Sequence, residues 1–118
     1  MGLTTLHAEV VNPADISRRI DVEFTVDSGA GYSLVPRQIL HALGIEPHTT
    51  KRFYLANGES IVREMGIAVF EYLSERTAAP VIFGEEGDAA LMGATTLEGF
   101  GFILDPFRRE LRPMPMRL

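Results

Sequence analysis

The sequence contains no cysteine, which excludes a disulfide framework, a thiolate nucleophile and thiolate zinc sites without fixing a compartment. Positive charge is also scarce: 11 Lys and Arg, scattered over 118 residues, face 16 Asp and Glu, for a net charge of −5. No stretch could neutralise a run of phosphates, so neither nucleic acid nor an anionic membrane is an expected partner. Met1-Gly2-Leu3-Thr4-Thr5-Leu6 has no basic leader and no long apolar run, and Leu6 stands where a myristoylation signal needs Ser or Thr. A cytoplasmic protein is expected. Internal repeats and low-complexity segments are missing as well. His7, His41 and His48 lack zinc-ligand spacing, and Glu85, Glu86 and Asp88 match no calcium loop, reading instead as a solvated acidic turn. No metal and no cofactor is expected.

What stands out is Val26-Asp27-Ser28-Gly29-Ala30. The segment before it alternates, with Ile20, Val22, Phe24 and Val26 on one face and Asp21, Glu23 and Thr25 on the other, which is the period of a half-buried strand. Asp27 therefore sits where a rigid sheet ends. Ser28 brings a hydroxyl that can brace a turn, Gly29 lets a backbone amide approach the neighbouring carboxylate, and Ala30 keeps the turn small. Peptide hydrolysis without a metal or covalent intermediate can use two facing carboxylates sharing one proton. On its own, Asp-Ser-Gly also reads as an ordinary strand-to-turn signal.

With its flanks, Thr25-Val26-Asp27-Ser28-Gly29-Ala30 resembles the first signature of the retropepsin-like aspartic proteases, the single-lobe class that includes retroviral proteases and small prokaryotic relatives. Leu91-Met92-Gly93 is similar to their second signature, two apolar residues and a glycine. The resemblance runs from about Ile20 to Leu111. In Leu91 to Glu98 and Phe102 to Pro106 it looks like the prokaryotic members in particular. Thr25 is the one polar entry among the apolar positions, Ser28 replaces the commoner Thr, and Gly31 stands where Ser, Thr, Asp or Ala is more usual. The resemblance implies an all-β, closed-barrel-like single-lobe acid protease fold with one or two short helices. Residues 1–118 would form one such domain, in keeping with the length.

It also implies an aspartic endopeptidase in which Asp27 is catalytic and Ser28, Gly29 and Ala30 support its loop. The sequence holds no second Asp-Thr/Ser-Gly, so the second carboxylate must be the Asp27 of another copy. The expected enzyme is a symmetric homodimer acting on an extended peptide or protein. The alternative is a catalytically weak or inactive dimer of the same fold that serves as a peptide-binding or assembly module.

The remaining elements follow from local signals. Leu3 to Val11 reads as a strand, turned at Asn12-Pro13-Ala14-Asp15 before the Asp27 strand begins near Arg18. Pro36 opens a helix carrying Ile39, Leu40 and Leu43, which Gly44 stops. Arg52 to Glu64 is a hairpin about Asn57-Gly58. By resemblance its tip, Ala56, Asn57, Gly58 and Glu59, is the flap; read alone it is an ordinary surface hairpin. Ile67 to Tyr72 and Val81 to Phe83 are strands joined through Ser74 to Pro80. Ala90 to Gly93 is a buried strand, and Thr95 and Glu98 have capping-box spacing for a short helix. Gly101 to Asp105 and Arg109 to Arg112 are strands flanking a turn at Asp105-Pro106.

A Ser-His-Asp hydrolase is the rival site, but no nucleophile elbow surrounds Ser28 or Ser33. In retroviral proteases the chain termini form an interleaved sheet, whose place Leu111 to Leu118 would take. Pro113 and Pro115 strip donors from one edge of that tail and leave the edge of Arg112, Met114 and Met116 able to pair. The dimer is therefore expected to rest on apolar packing around the Asp27 loop and the helix after Gly93.

Overall fold

The computed structural model describes residues 3–115 and 117–118. Met1 and Gly2 of the leader segment and Met116 of the tail lie outside the described residues. Among the described residues the chain forms nine strands and two short helices.

Strands β1 (Thr5–Asn12) and β2 (Asp15–Val26) pair antiparallel, Thr5 opposite Thr25 and Val10 opposite Ile20. Val22, Phe24 and Val26 are buried while Asp21 and Glu23 are exposed, so the alternation in β2 is the inside and outside of a sheet. The second strand begins earlier than expected, at Asp15 rather than near Arg18. Asn12 explains it: its Oδ1 accepts the Ala14 N–H at 2.7 Å, closing a tight turn, while its Nδ2 donates to the Leu43 carbonyl at 2.7 Å.

The chain continues through β3 (Ser33–Pro36), α1 (Arg37–Ala42), β4 (Thr49–Tyr54), β5 (Ser60–Tyr72), β6 (Glu75–Gly84), β7 (Leu91–Met92), α2 (Ala94–Phe100), β8 (Phe102–Asp105) and β9 (Glu110–Pro113). Seven strands form one sheet in the order β1-β2-β7-β3-β6-β5-β4, and β1 also pairs with β5. The sheet thus closes into a ring, with β4 hanging from β5. This is the all-β, closed-barrel-like fold with two short helices. Inside the ring Phe24 and Phe70 meet at 6.0 Å between ring centres, with Val10, Val35, Leu40, Val81 and Met92 fully buried around them. A second aromatic group, Tyr72, Phe100 and Phe102, seats α2 against the sheet.

Two connections depart from expectation. The join between β5 and β6 is not a run from Ser74 to Pro80 but a two-residue turn, Leu73-Ser74, with Tyr72 opposite Glu75 and Pro80 inside β6 opposite Ile67. Both turn residues have positive φ, 47° and 70°, the geometry that matches hairpin twist, but here adopted without the Asn or Gly that usually announces it. Nor is there a capping box on α2: Gly93 is its N-cap with no side-chain bond, and Thr95 lies within the helix.

On the outer face Arg19 donates to Glu9 at 2.8 Å and to Glu71 at 2.9 Å, and Arg76 donates to Glu71 at 2.7 Å. The Arg19 hydrogen bond, opposed by desolvation and reinforced by Arg76, holds the Glu71 carboxyl below the usual range. Asp105 is lowered likewise, chiefly by the Arg108 N–H, then by that of Phe107. A depressed folded-state value means that the stabilisation is complete above the unfolded value of about 4.3 for Glu or about 3.9 for Asp, and is lost as pH falls through the lower folded value. Stability should therefore decline on acidification below about pH 4. Glu71→Gln should be less stable than wild type at pH 7 but lose less between pH 7 and pH 3, read as urea midpoints.

Candidate active site

Strand β2 delivers Asp27 one residue past its end, where the carboxylate is exposed. Its backbone N–H donates to the Met92 carbonyl at 2.9 Å, which continues the parallel pairing of Thr25 with Leu91 and Val26 with Met92. The carboxylate is held from within its own loop: Gly29 N–H donates to Asp27 Oδ1 at 2.9 Å, and Ala30 N–H donates to the Asp27 carbonyl at 3.1 Å. Gly29 therefore does what its residue type suggested.

The Leu91-Met92-Gly93 segment meets this loop directly. A Cβ on Gly93 would lie 2.5 Å from the carbonyl carbon and oxygen of Tyr32 and 3.0 Å from the Ala30 oxygen. Only a glycine permits that approach. The first N–H groups of α2 are then used on the loop, Ala94 donating to the Ala30 carbonyl at 2.7 Å and Thr95 to that of Gly31 at 3.0 Å. Helix donors that would otherwise need a capping side chain are satisfied by the loop they anchor.

Two polar residues that sequence reasoning missed complete the anchor. Ser33 and Thr96 are both fully buried, their hydroxyls 2.5 Å apart, and Ser33 Oγ accepts the Gly93 N–H at 3.0 Å. The available signal was parity, since Ser33 falls on the same face of β3 as Val35, which is buried. Ser28, by contrast, makes no side-chain hydrogen bond among the described residues. It faces a hollow of about 320 Å³ shared with Ala94, Leu97, Phe102 and Ile103.

Across the loop lies a cleft of about 380 Å³, lined by Gly29 to Tyr32, Leu34, Phe53, Tyr54, Ile61, Ile82 and Arg63. Tyr32 packs edge-on against Phe53 at 6.3 Å, tying the Asp27 loop to the turn end of the β4–β5 hairpin, where Phe53 stands opposite Ile61. Ala56, Asn57, Gly58 and Glu59 form that hairpin's exposed tip and do not line the cleft. The turn is not a two-residue Asn57-Gly58 turn: Leu55 N–H donates to the Glu59 carbonyl, Gly58 N–H to the Leu55 carbonyl, and of the two residues only Gly58 has positive φ, 87°. This is the three-residue loop with its glycine in the left-handed region.

A sequence profile of the aspartyl protease family matches residues 12–95. The chain belongs to the aspartyl protease family. No curated protein matches it in sequence. Among solved structures, the retropepsin-like aspartic protease of Rickettsia conorii is 23% identical with a TM-score of 0.64, the match covering 88% of this chain and 77% of that one. The EIAV protease complexed with the inhibitor HBY-793 is 12% identical at a TM-score of 0.62, covering 85% and 89%. The retroviral protease-like domain of Ddi1 from Leishmania major is 16% identical at 0.55, covering 95% and 90%. At such identities the likeness is one of fold, and this aspartyl protease has the retropepsin-like fold.

The histidines His7 and His41 of the rival hydrolase take no part in the loop's hydrogen bonds. His7 is 3.3 Å from both Asp21 and Glu23 on the outer sheet, and His41 is in the last turn of α1. In the acidic turn Glu85 receives Arg37 at 2.9 Å and Asp88 Oδ2 accepts the Glu85 N–H at 2.9 Å, so these carboxylates serve local structure.

Ser33→Ala would leave the Thr96 hydroxyl and the Gly93 N–H buried without their partner, at a cost of about 1–3 kcal/mol. Urea denaturation should show that loss, and adding Thr96→Val should recover part of it.

Proposed function

We propose that this aspartyl protease is an endopeptidase working as a homodimer, with the Asp27 carboxylates of two copies facing each other across a two-fold axis. The observation that carries the reading is the Asp27 loop itself: an exposed carboxylate at a strand end, fixed by the Gly29 N–H and clamped beneath by Met92 and Gly93. One such loop supplies one carboxylate, and a second copy supplies the other. The pair shares a proton, because like charges so close do not both ionise. The ionised Asp27 takes a proton from water as the water oxygen attacks the scissile carbonyl carbon. The protonated Asp27 donates to the carbonyl oxygen. A proton is then delivered to the amine as the C–N bond breaks, and the shared proton is restored.

In this reading Ala56 to Glu59 is the flap, whose backbone would pair with an extended substrate and exclude water. The Ser28 hydroxyl, without an intrachain partner among the described residues, is free to bond the second copy. The tail contributes little to the interface. Met114 N–H donates to the Gly101 carbonyl of its own chain, so by strand alternation the edge of Arg112 and Met114 is occupied by β8, and Pro113 faces outward without a donor. Apolar packing around the Asp27 loop and α2 is left to hold the copies together.

Digestion of a peptide library should be detectable with wild type, greatest at acid to mildly acid pH, and lowered about 10²–10⁴-fold by Asp27→Asn. Adding excess Asp27→Asn to wild type should lower specific activity as mixed dimers form; unchanged activity would mean that one subunit suffices. Peptides bound but never cut by wild type would favour the binding-module alternative.

Gly58→Val tests the flap. Open space surrounds a Cβ at this position, so the variant acts only through the strain of a β-branched residue at a φ of 87°. Peptide turnover should fall by more than the fraction of protein unfolded at the assay temperature, and normal turnover would reject the assignment.

A further inference from the structure

The cleft beside the Asp27 loop is apolar except for the arginine on its wall. Arg63 lines it among Tyr32, Leu34, Phe53 and Ile61, with its side chain about one-fifth exposed. Its guanidinium is poorly matched. Nη1 donates to the Val62 carbonyl at 3.1 Å, while Nε is buried with no hydrogen-bond partner. The nearest carboxylate oxygen, Asp88 Oδ2, stands 3.8 Å from Nε and already accepts the Glu85 N–H. A cation in low-dielectric surroundings with one distant counter-charge is an incomplete ion pair.

A second cation faces it. Lys51 on β4 is directly opposite Arg63 on β5, and its Nζ lies 5.9 Å from the centre of the Tyr32 ring, on the cleft side. Lys51 forms no ion pair among the described residues. Like charges directly opposite on a sheet are destabilising, and the chain had another register open to it. A two-residue Asn57-Gly58 turn would have set Lys51 against Glu64; the three-residue loop sets it against Arg63 instead. In a protein of net charge −5, the cation on the wall of an apolar cleft thus has a second cation directly opposite it on the sheet and over the ring of Tyr32.

We infer that Arg63, reinforced by Lys51, forms a subsite for a carboxylate side chain of the substrate, so that the cleft selects extended peptides with Glu or Asp at one fixed position from the scissile bond. The inference rests on the peptidase reading. A planar guanidinium receives a carboxylate through two parallel N–H groups, and the pairing is stronger where water is excluded. The acidic residue of the peptide supplies the charge that the fold itself withholds.

The test uses peptide pairs that differ only by Glu against Gln at each position on both sides of the cleaved bond, with kcat/KM measured at low salt. Wild type should prefer Glu at one position by about tenfold or more. Arg63→Met should bring the ratio to near one, Arg63→Glu should invert it in favour of Gln, and Asp88→Asn should increase the Glu preference. Asp88→Asn leaves Arg63 in place, so it decides the matter if the Arg63 variants fail to fold. Cleavage with no Glu preference at any position, or a preference that survives Arg63→Met, overturns the subsite while leaving the peptidase reading intact. If wild type cuts no peptide the peptidase reading fails, and binding of the same labelled pairs to Asp27→Asn protein then decides the subsite: tighter Glu binding that Arg63→Met abolishes supports it, equal binding overturns it.

Discussion

A strand of only two residues holds the Asp27 loop together. Leu91–Met92 lies between β2 and β3, parallel to the first and antiparallel to the second, and without it the closed sheet would have a gap at the Asp27 loop. Met92 is fully buried and its carbonyl receives the Asp27 N–H, so core packing and site geometry are the same event. Gly93 then lets the chain pass under Tyr32, and α2 spends its first donors on the loop above it. The pieces come from distant parts of the sequence. Such contacts form only after the loop-closure entropy of the intervening chain has been met, so the site is a product of global folding rather than of any local motif.

The same economy runs through the cleft. Tyr32 belongs to the Asp27 loop yet packs on Phe53 near the turn of the β4–β5 hairpin and lies under Lys51. One aromatic contact therefore links the hairpin to the loop that bears the carboxylate. The hairpin tip carries no such contact, and its residues from Ala56 to Glu59 are exposed.

Much of this was legible because β2 is buried on one face and wet on the other, which writes its register into the sequence as a period of two. Asp27, Gly29 and Gly93 were legible as residue types suited to a carboxylate, a tight amide and a close approach. Part of what escaped has one cause, that the information sat in a partner distant in sequence; the two hairpin turns escaped for local reasons. Strand β3 offers only the alternation of Ser33 with Val35, and its buried Ser33 is polar because Thr96 and Gly93 await it. Capping of α2 is done by carbonyls of another loop, so Thr95 and Glu98 suggested a box that the helix does not use. The Leu73-Ser74 turn carries none of the usual residues for positive φ. At the other hairpin the Asn57-Gly58 pair marked the turn but not its length, and that one residue decides whether Lys51 faces a glutamate or an arginine.

Closure of the main sheet has a consequence for how the molecule behaves when crowded. Exposed strand edges are templates on which further chains can stack without limit. Pairing of β1 with β5 removes two such edges, and the edge strand β4 carries Lys51 and Arg52, whose charge resists a flat neighbour. The β8–β9 hairpin is a separate sheet, and on β9 the outward position of Pro113 offers no amide hydrogen. Strands β4 and β9 therefore discourage the edge-on addition that would extend the sheet into a fibre.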